Sequence, residues 1–303
     1  YLDRKSYTLT VNVDGETTTS TVLYGAALSV EAPSKEGNTF AGWTPALPAT
    51  MPAEDVTVTA TWTVNSYSVT WIVDGKSDVV TYDYGDTIVK PKPTKAGYVF
   101  AGWTPAVPET MPATDLTFTG SWVNATDTKY TVTIYTMNTD GTYTEATNTY
   151  TGETGALVKA DYTIEEGFEL STKNESVTEG NILADSSLAL VVYIDRIEYT
   201  FTVDVDGNVT ETNYLYGAAV AAPTAPTKTG YTFAGWDGEV PATMPAEDVT
   251  VTATWTVNNY SVTWVVPGQA DQVDTVAYGS AITAPVPTKT GYVFAGWDNG
   301  IPA

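Results

Sequence analysis

The chain repeats itself, and that repetition constrains the fold more than any composition could. Pro48–Asn65, PATMPAEDVTVTATWTVN, recurs letter for letter at Pro241–Asn258, and Gly97–Trp103, GYVFAGW, recurs at Gly291–Trp297. Looser copies lie between. A period of about 60 residues predicts a tandem array of small modules rather than one large globule. Such arrays set length, spacing or a multivalent surface more readily than they build a unique active site.

The copies divide the chain as follows. Residues 1–6 read as the tail of a preceding spacer, 7–65 as module 1, 66–126 as module 2, 127–196 as a spacer of a different kind, 197–258 as module 3, and 259–303 as an incomplete module 4. Tyr1 and Tyr193, at matching places before a module, stand 192 residues apart. Each superperiod therefore holds two modules and one spacer, and the chain reads as a window cut from a longer array, without an initiating Met or a leader.

Within a module, periodicity of two dominates. Val56, Val58, Ala60 and Trp62 alternate with Thr57, Thr59, Thr61 and Thr63, the mark of a strand buried on one face. Tyr7–Val13 alternates likewise and runs into Asp14-Gly15, a hairpin-turn pair that returns at Asp74-Gly75 and Asp206-Gly207. A second strand ends at each Tyr-Gly (Tyr24, Tyr84, Tyr216, Tyr278), and a proline-bearing crossover follows. Tyr98–Trp103, apolar on both faces, reads as a central or doubly covered strand. The Met-Pro-Ala segment is expected to be a loop or a single helical turn that places Met in the core. Each module is thus about four strands with one crossover, mainly β, and the short linkers predict an elongated rod.

Net charge is −23, from 36 acidic and 13 basic residues. Nucleic acid and anionic membrane surfaces demand the opposite balance, so no nucleic-acid partner is expected. No apolar run approaches the roughly 18 residues of a membrane-spanning helix, so no membrane insertion is expected. Cys and His are both absent, which removes zinc sites, thiol nucleophiles and imidazole bases.

The unit Pro93-Thr94-Lys95-Ala96-Gly97-Tyr98-Val99-Phe100-Ala101-Gly102-Trp103, followed by Met111-Pro112-Ala113-Thr114-Asp115, resembles the Listeria–Bacteroides repeat, also called the internalin B-repeat family. Pro226–Trp236 matches as fully, whereas module 1 carries Ser34 for Thr and Asn38 for Tyr. The resemblance implies a β-grasp-like, ubiquitin-resembling module on a bacterial surface or secreted protein, and brings no catalytic residues. The spacer resembles a mucin-binding-type repeat through Tyr130–Tyr135, Asp140-Gly141, Gly167–Leu170 and Leu190–Tyr193.

No residue is assigned a catalytic, cofactor or metal role, and no cofactor is expected. Asp204–Asn208 as a calcium loop and Glu165-Glu166 as paired acids are weighed and set aside. So are intramolecular isopeptide bonds, because lysine reads as scarce and irregularly placed. Trp62, Trp122 and Trp255 are expected to be mostly buried, and Trp43, Trp103, Trp236 and Trp297 to lie nearer module boundaries. The expected function is a non-enzymatic extracellular stalk or fibre segment that supplies length and spacing. The alternatives are an adhesin region binding a host protein or glycan multivalently, or a self-associating filament subunit. Expected partners are neighbouring modules of the same chain, a host protein or glycan, and a second chain at an open edge near residue 303.

Overall fold

The computed structural model describes residues 1–301. Pro302 and Ala303, where the open edge was placed, lie outside them. The described residues are all β, in tandem sheets. Among them no helix is long and apolar enough to cross a membrane.

Module 1 contains β1 (Ser6–Val13), β2 (Glu16–Leu23), β3 (Asn38–Thr44) and β4 (Val56–Val64), in the sheet order β2-β1-β4-β3. β1 and β2 form a hairpin, β1 runs parallel to β4, and β3 is antiparallel to β4. Module 2 repeats this order with β5 (Ser66–Val73), β6 (Lys76–Asp83), β7 (Tyr98–Thr104) and β8 (Leu116–Asn124). The hairpin turns follow from Asp14 and Gly15, both at positive φ (53° and 92°). Two central turn residues at positive φ match the right-handed twist of the flanking strands.

The spacer has β9 (Thr128–Met137), β10 (Tyr143–Gly152), β11 (Leu157–Lys159), β12 (Phe168–Leu170), β13 (Glu179–Asn181) and β14 (Ala189–Arg196). Although its sequence reads as a different kind of module, its main sheet, β10-β9-β14-β12, has the same order and the same parallel central pair. Module 3 contains β15 (Glu198–Val205), β16 (Asn208–Leu215), β17 (Tyr231–Asp237) and β18 (Val249–Val257), again in that order. Module 4 contains β19 (Asn259–Trp264) paired with β20 (Gln272–Ala277). Two compact units divide the chain. One holds residues 1–129 with 151–156 and 181–187, and the other holds the remainder.

Each complete module buries one face of its sheet. In module 1 Leu9, Met51, Val56 and Val58 form the centre, with Leu28, Val30 and Trp43 packed against them. The Thr residues of β4 point outward. The Met-Pro-Ala segment is a loop, and Met51, Met111 and Met244 are each 1% exposed. Backbone bonds pin that loop to the Tyr-Gly turn: Gly25 N–H donates to Met51 O, and Met51 N–H to Ala26 O, with the same pair at Gly85/Met111 and Gly217/Met244.

The reading of Tyr98–Trp103 as a central strand is corrected: β7 and its counterparts lie at the sheet edge. The apolar residues on both faces have another cause. A bulge falls between Phe100 and Gly102, with Gly102 at φ 119°. The extra residue puts Phe100 and Trp103 on one face, although three positions on a regular strand would separate them. Their rings meet at 5.1 Å, and so do those of Phe40 with Trp43 and Phe233 with Trp236.

The tryptophan expectations are also revised. Trp43, Trp103 and Trp236 pack into the cores of their own modules rather than at boundaries. Trp62, Trp122 and Trp255 are half-buried at the end of the same face. β4 carries its indole one pair beyond Ala60, where Trp43 already covers the sheet.

Candidate functional sites at the module junctions

The most regular feature outside the cores is the junction between consecutive modules. β4 and β5 are separated by Asn65 alone, β14 and β15 by Ile197 alone, and β18 and β19 by Asn258 alone. Both backbone groups of Asn65 are used. Its N–H donates to Gly37 O at 2.9 Å, and its C=O accepts from Tyr84 N–H at 2.9 Å. Ile197 repeats this between Gly167 and Tyr216, and Asn258 between Gly230 and Tyr278. Side chains add to it: Thr39 Oγ1 donates to Asn65 Oδ1, and Thr232 Oγ1 to Asn258 Oδ1.

The glycines matter sterically. A Cβ at Gly37 would stand 2.0 Å from Cγ of Tyr84, one at Gly230 equally close to the Tyr278 ring, and one at Gly167 2.4 Å from Tyr216. Their φ values of 67°, 80° and 81° are left-handed, so glycine is required on two counts. At the junction from module 2 to the spacer the linker is longer, and Thr154 replaces tyrosine. Ala125 N–H donates to Gly97 O, Thr154 N–H to Ala125 O, and Thr154 Oγ1 to Gly97 O as well. Here backbone and Cβ of Ala184 fill the space beside Gly97. After the spacer, Arg196 reinforces the junction. Its Nε donates to Met137 O, its guanidinium to Tyr216 O, and it lies over the Phe168 ring.

A second recurring arrangement joins lysine to the hairpin turn. Lys35, Lys95 and Lys228 pair with Asp14, Asp74 and Asp206 at 2.9, 3.0 and 2.9 Å. Lys95 and Lys228 also lie over Tyr98 and Tyr231. Lysine is therefore regularly placed, contrary to the sequence reading; the matching position in module 4 is Lys289, whose Nζ reaches Pro267 O. These ion pairs are solvent-exposed, so each contributes at most about 1 kcal/mol.

A third arrangement explains the acid of the Met-Pro-Ala-x-Asp motif. Asp55, Asp115 and Asp248 each accept the backbone N–H of the third residue of the module's first strand, Thr8, Ser68 or Thr200, at 2.7 Å. That bond from Ser68 holds Asp115 below the ordinary aspartate value of 3.8.

The residues weighed for chemistry are otherwise engaged or apart. Asp204 accepts Gly207 N–H, and Asp206 holds Lys228. Glu165 and Glu166 lie exposed before β12. Among the described residues no three acidic side chains gather to hold a metal ion. In the spacer, Asp195 is 4% exposed and accepts from Ser171 Oγ at 2.7 Å and from Tyr143. Burial, with the Asp195 contact second, pushes the Tyr143 phenol up. Both carboxylate oxygens are used, so this network braces the spacer. Module 2 has a cavity of about 320 Å³ lined by Trp71, Trp103, Trp122, Pro91 and Pro93, and in module 4 the matching Trp264 and Trp297 also line a cavity. Modules 1 and 3 carry Val11 and Val203 in place of Trp71.

Internalin H of Listeria monocytogenes is 39% identical over 136 residues, covering 42% of this chain and 24% of that protein. A "Gly-rich membrane protein" of Evansella cellulosilytica is 26% identical across 92% of this chain and 36% of its own length. A second membrane protein of that organism is 25% identical across 96% of the chain and 39% of its own length. The chain thus spans between a quarter and two fifths of these relatives. The model of the Listeria-Bacteroides repeat domain matches residues 7–61, 67–151, 199–256 and 260–300, which is most of the sequence, so the chain belongs to the Listeria-Bacteroides repeat family.

Proposed function

We propose that this chain is a non-enzymatic stalk segment of a bacterial cell-surface protein, holding a distal region away from the cell. The observation that carries the reading is the junction geometry. A one-residue linker with both backbone groups bonded, flanked by a glycine that admits the next module's tyrosine ring, leaves consecutive modules little independent freedom. The relatives named for internalin H and for membrane proteins support a surface location. The acidic surface favours solubility and opposes adhesion to phosphate polymers. Small-angle scattering tests the proposal. A compact globule of this length has a radius of gyration of roughly 19 Å. A value well above that is expected, and a value near it overturns the stalk.

A second reading, an adhesin region with several weak sites for a host protein or glycan, draws support from the Trp- and Pro-lined cavity of module 2. Titration with oligosaccharides, followed by tryptophan emission, tests it. Unchanged emission in the intact chain combined with an unchanged Trp71→Val variant removes that reading.

A further inference from the structure

Two buried indole donors of module 2 have no acceptor. Trp71 is 3% exposed, and neither its Nε1–H nor that of Trp122 meets a partner among the described residues. Buried Trp N–H groups ordinarily find one, because an unmet donor costs its desolvation. The other modules meet the need or avoid it. In module 4, Trp264 takes the place of Trp71 and donates to Asp274 Oδ2 at 2.7 Å. The two rings sit alike, 4.7 Å from Trp103 and 4.8 Å from Trp297. Asp274 lies opposite Val262, and Val80 lies opposite Val69, so module 2 has an apolar side chain where that acceptor stands. In module 1 Trp62 donates to Asp14, and module 3, where Trp255 lacks a partner, has Val203 in place of Trp71. Among the described residues only module 2 brings two such donors to one cavity.

The rest of that cavity has the anatomy of a small-ligand site, an apolar floor with a few polar groups at its edge. Its volume of about 320 Å³ lies at the low end of such sites, which run from about 300 to 1,000 Å³. Trp103 and Trp122 are half-buried, and Trp103 is held by its bond to Pro91 O at 3.1 Å. Asp78 pairs with Trp71 across the hairpin and so shares its face of the sheet. It is exposed and takes part in no ion pair among the described residues. Asp74, Lys76, Ser77 and Thr94 complete the rim.

We propose that this cavity binds one neutral pyranose unit of a glycan. The C–H face of the sugar packs on the Trp103 and Trp122 rings. One of its oxygens accepts the Trp71 N–H, as Asp274 accepts that of Trp264, and its hydroxyls donate to Asp74 and Asp78. A hydroxyl both donates and accepts, which suits a wall offering indole donors and carboxylate acceptors together. A proline-rich peptide would cover the indoles, but proline has no N–H for the carboxylates. A sulfated or sialylated sugar would bring its charge against those carboxylates and against a chain of net charge −23. The proposal rests on the adhesin reading and gives it a ligand class and a place.

The test uses proton–nitrogen correlation spectra of the intact, isotope-labelled chain. The probes are the methyl glycosides of glucose, galactose, mannose and N-acetylglucosamine, with sialyllactose and a polyproline peptide as comparisons. Saturable shifts of the Trp71 indole signal and of the Ser77 and Asp78 amides are expected for at least one neutral glycoside, with a Kd on the order of 1 mM. Trp71→Val is the choice of modules 1 and 3, so it should keep module 2 folded and lose the response. Asp78→Ala, at an exposed position, should weaken binding about tenfold through loss of a charge-assisted hydrogen bond. An unmoved Trp71 signal with all four neutral glycosides overturns the proposal. So does a stronger response to sialyllactose or to the peptide, or a response that survives Trp71→Val. Shifts confined to other indoles overturn this site and leave the adhesin reading standing, whereas an unmoved spectrum with unchanged emission on oligosaccharide titration removes both.

Discussion

The ring of Tyr84 fills the space in which Gly37 would carry a side chain: a Cβ on Gly37 would come within 2.0 Å of Tyr84 Cγ. Gly37→Ala therefore meets a rigid ring close to its root and adopts a left-handed φ of 67°. A loss of about 2 kcal/mol or more is expected at this junction. Gly15→Ala is the control, since it has positive φ but nothing within 4 Å, and should cost only about 1 kcal/mol. Hydrogen exchange at the Asn65 and Tyr84 amides should accelerate in the first variant alone.

Met111 closes the core of module 2 at 1% exposure. Met111→Ala should cost about 3 kcal/mol, within the range for buried Met truncations. Amide hydrogen exchange in β5 and β8, followed across a urea series, reads it within module 2. Met111→Leu, close in volume, should cost under about 1.5 kcal/mol.

Asp115 gives a pH dependence of defined sign. Its carboxyl is lowered below 3.8 by the Ser68 N–H, so it stabilises the folded state fully above the unfolded value. That contribution disappears as pH falls through the lower folded value. Melting of wild-type chain from pH 6 to pH 2 should show an acid limb below about pH 4. Asp115→Asn should flatten that limb while leaving exchange in module 1 unchanged.

Trp255 is half-buried, and its indole N–H has no partner among the described residues. Trp255→Ala should cost about 2 kcal/mol, short of the 3–5 kcal/mol expected of a fully enclosed ring. Trp255→Phe, which also removes the unpaired donor, should cost less. Chemical denaturation of the paired variants separates the two effects.

Periodicity made much of the sheet legible. The alternation in Val56–Thr63 and the Asp-Gly turns correspond to real strands and hairpins, because period two and positive φ are local properties. The edge position of β7 was hidden, since a bulge at Ala101 mimics the double-sided pattern of a central strand. The Trp62 environment was hidden too, because how far Trp43 covers the sheet depends on packing rather than spacing. The junctions were spelled in Gly37, Asn65 and Tyr84. Their meeting spans some 47 residues of sequence and appears only when β4 leads into β5. The lysine positions were readable from alignment of the copies alone: each precedes its junction glycine by two residues.

The parallel pairing of β1 with β4 has a mechanical consequence. The chain enters module 1 at the start of β1 and leaves at the end of β4, and these adjacent strands point the same way. Tension applied through the chain therefore pulls them past one another, loading the bonds of Leu9–Asn12 with Val56–Thr59 together rather than in succession. An antiparallel pair pulled from one end would unzip bond by bond. The same geometry recurs at β5 with β8, β9 with β14, and β15 with β18, so every complete module bears tensile load in shear.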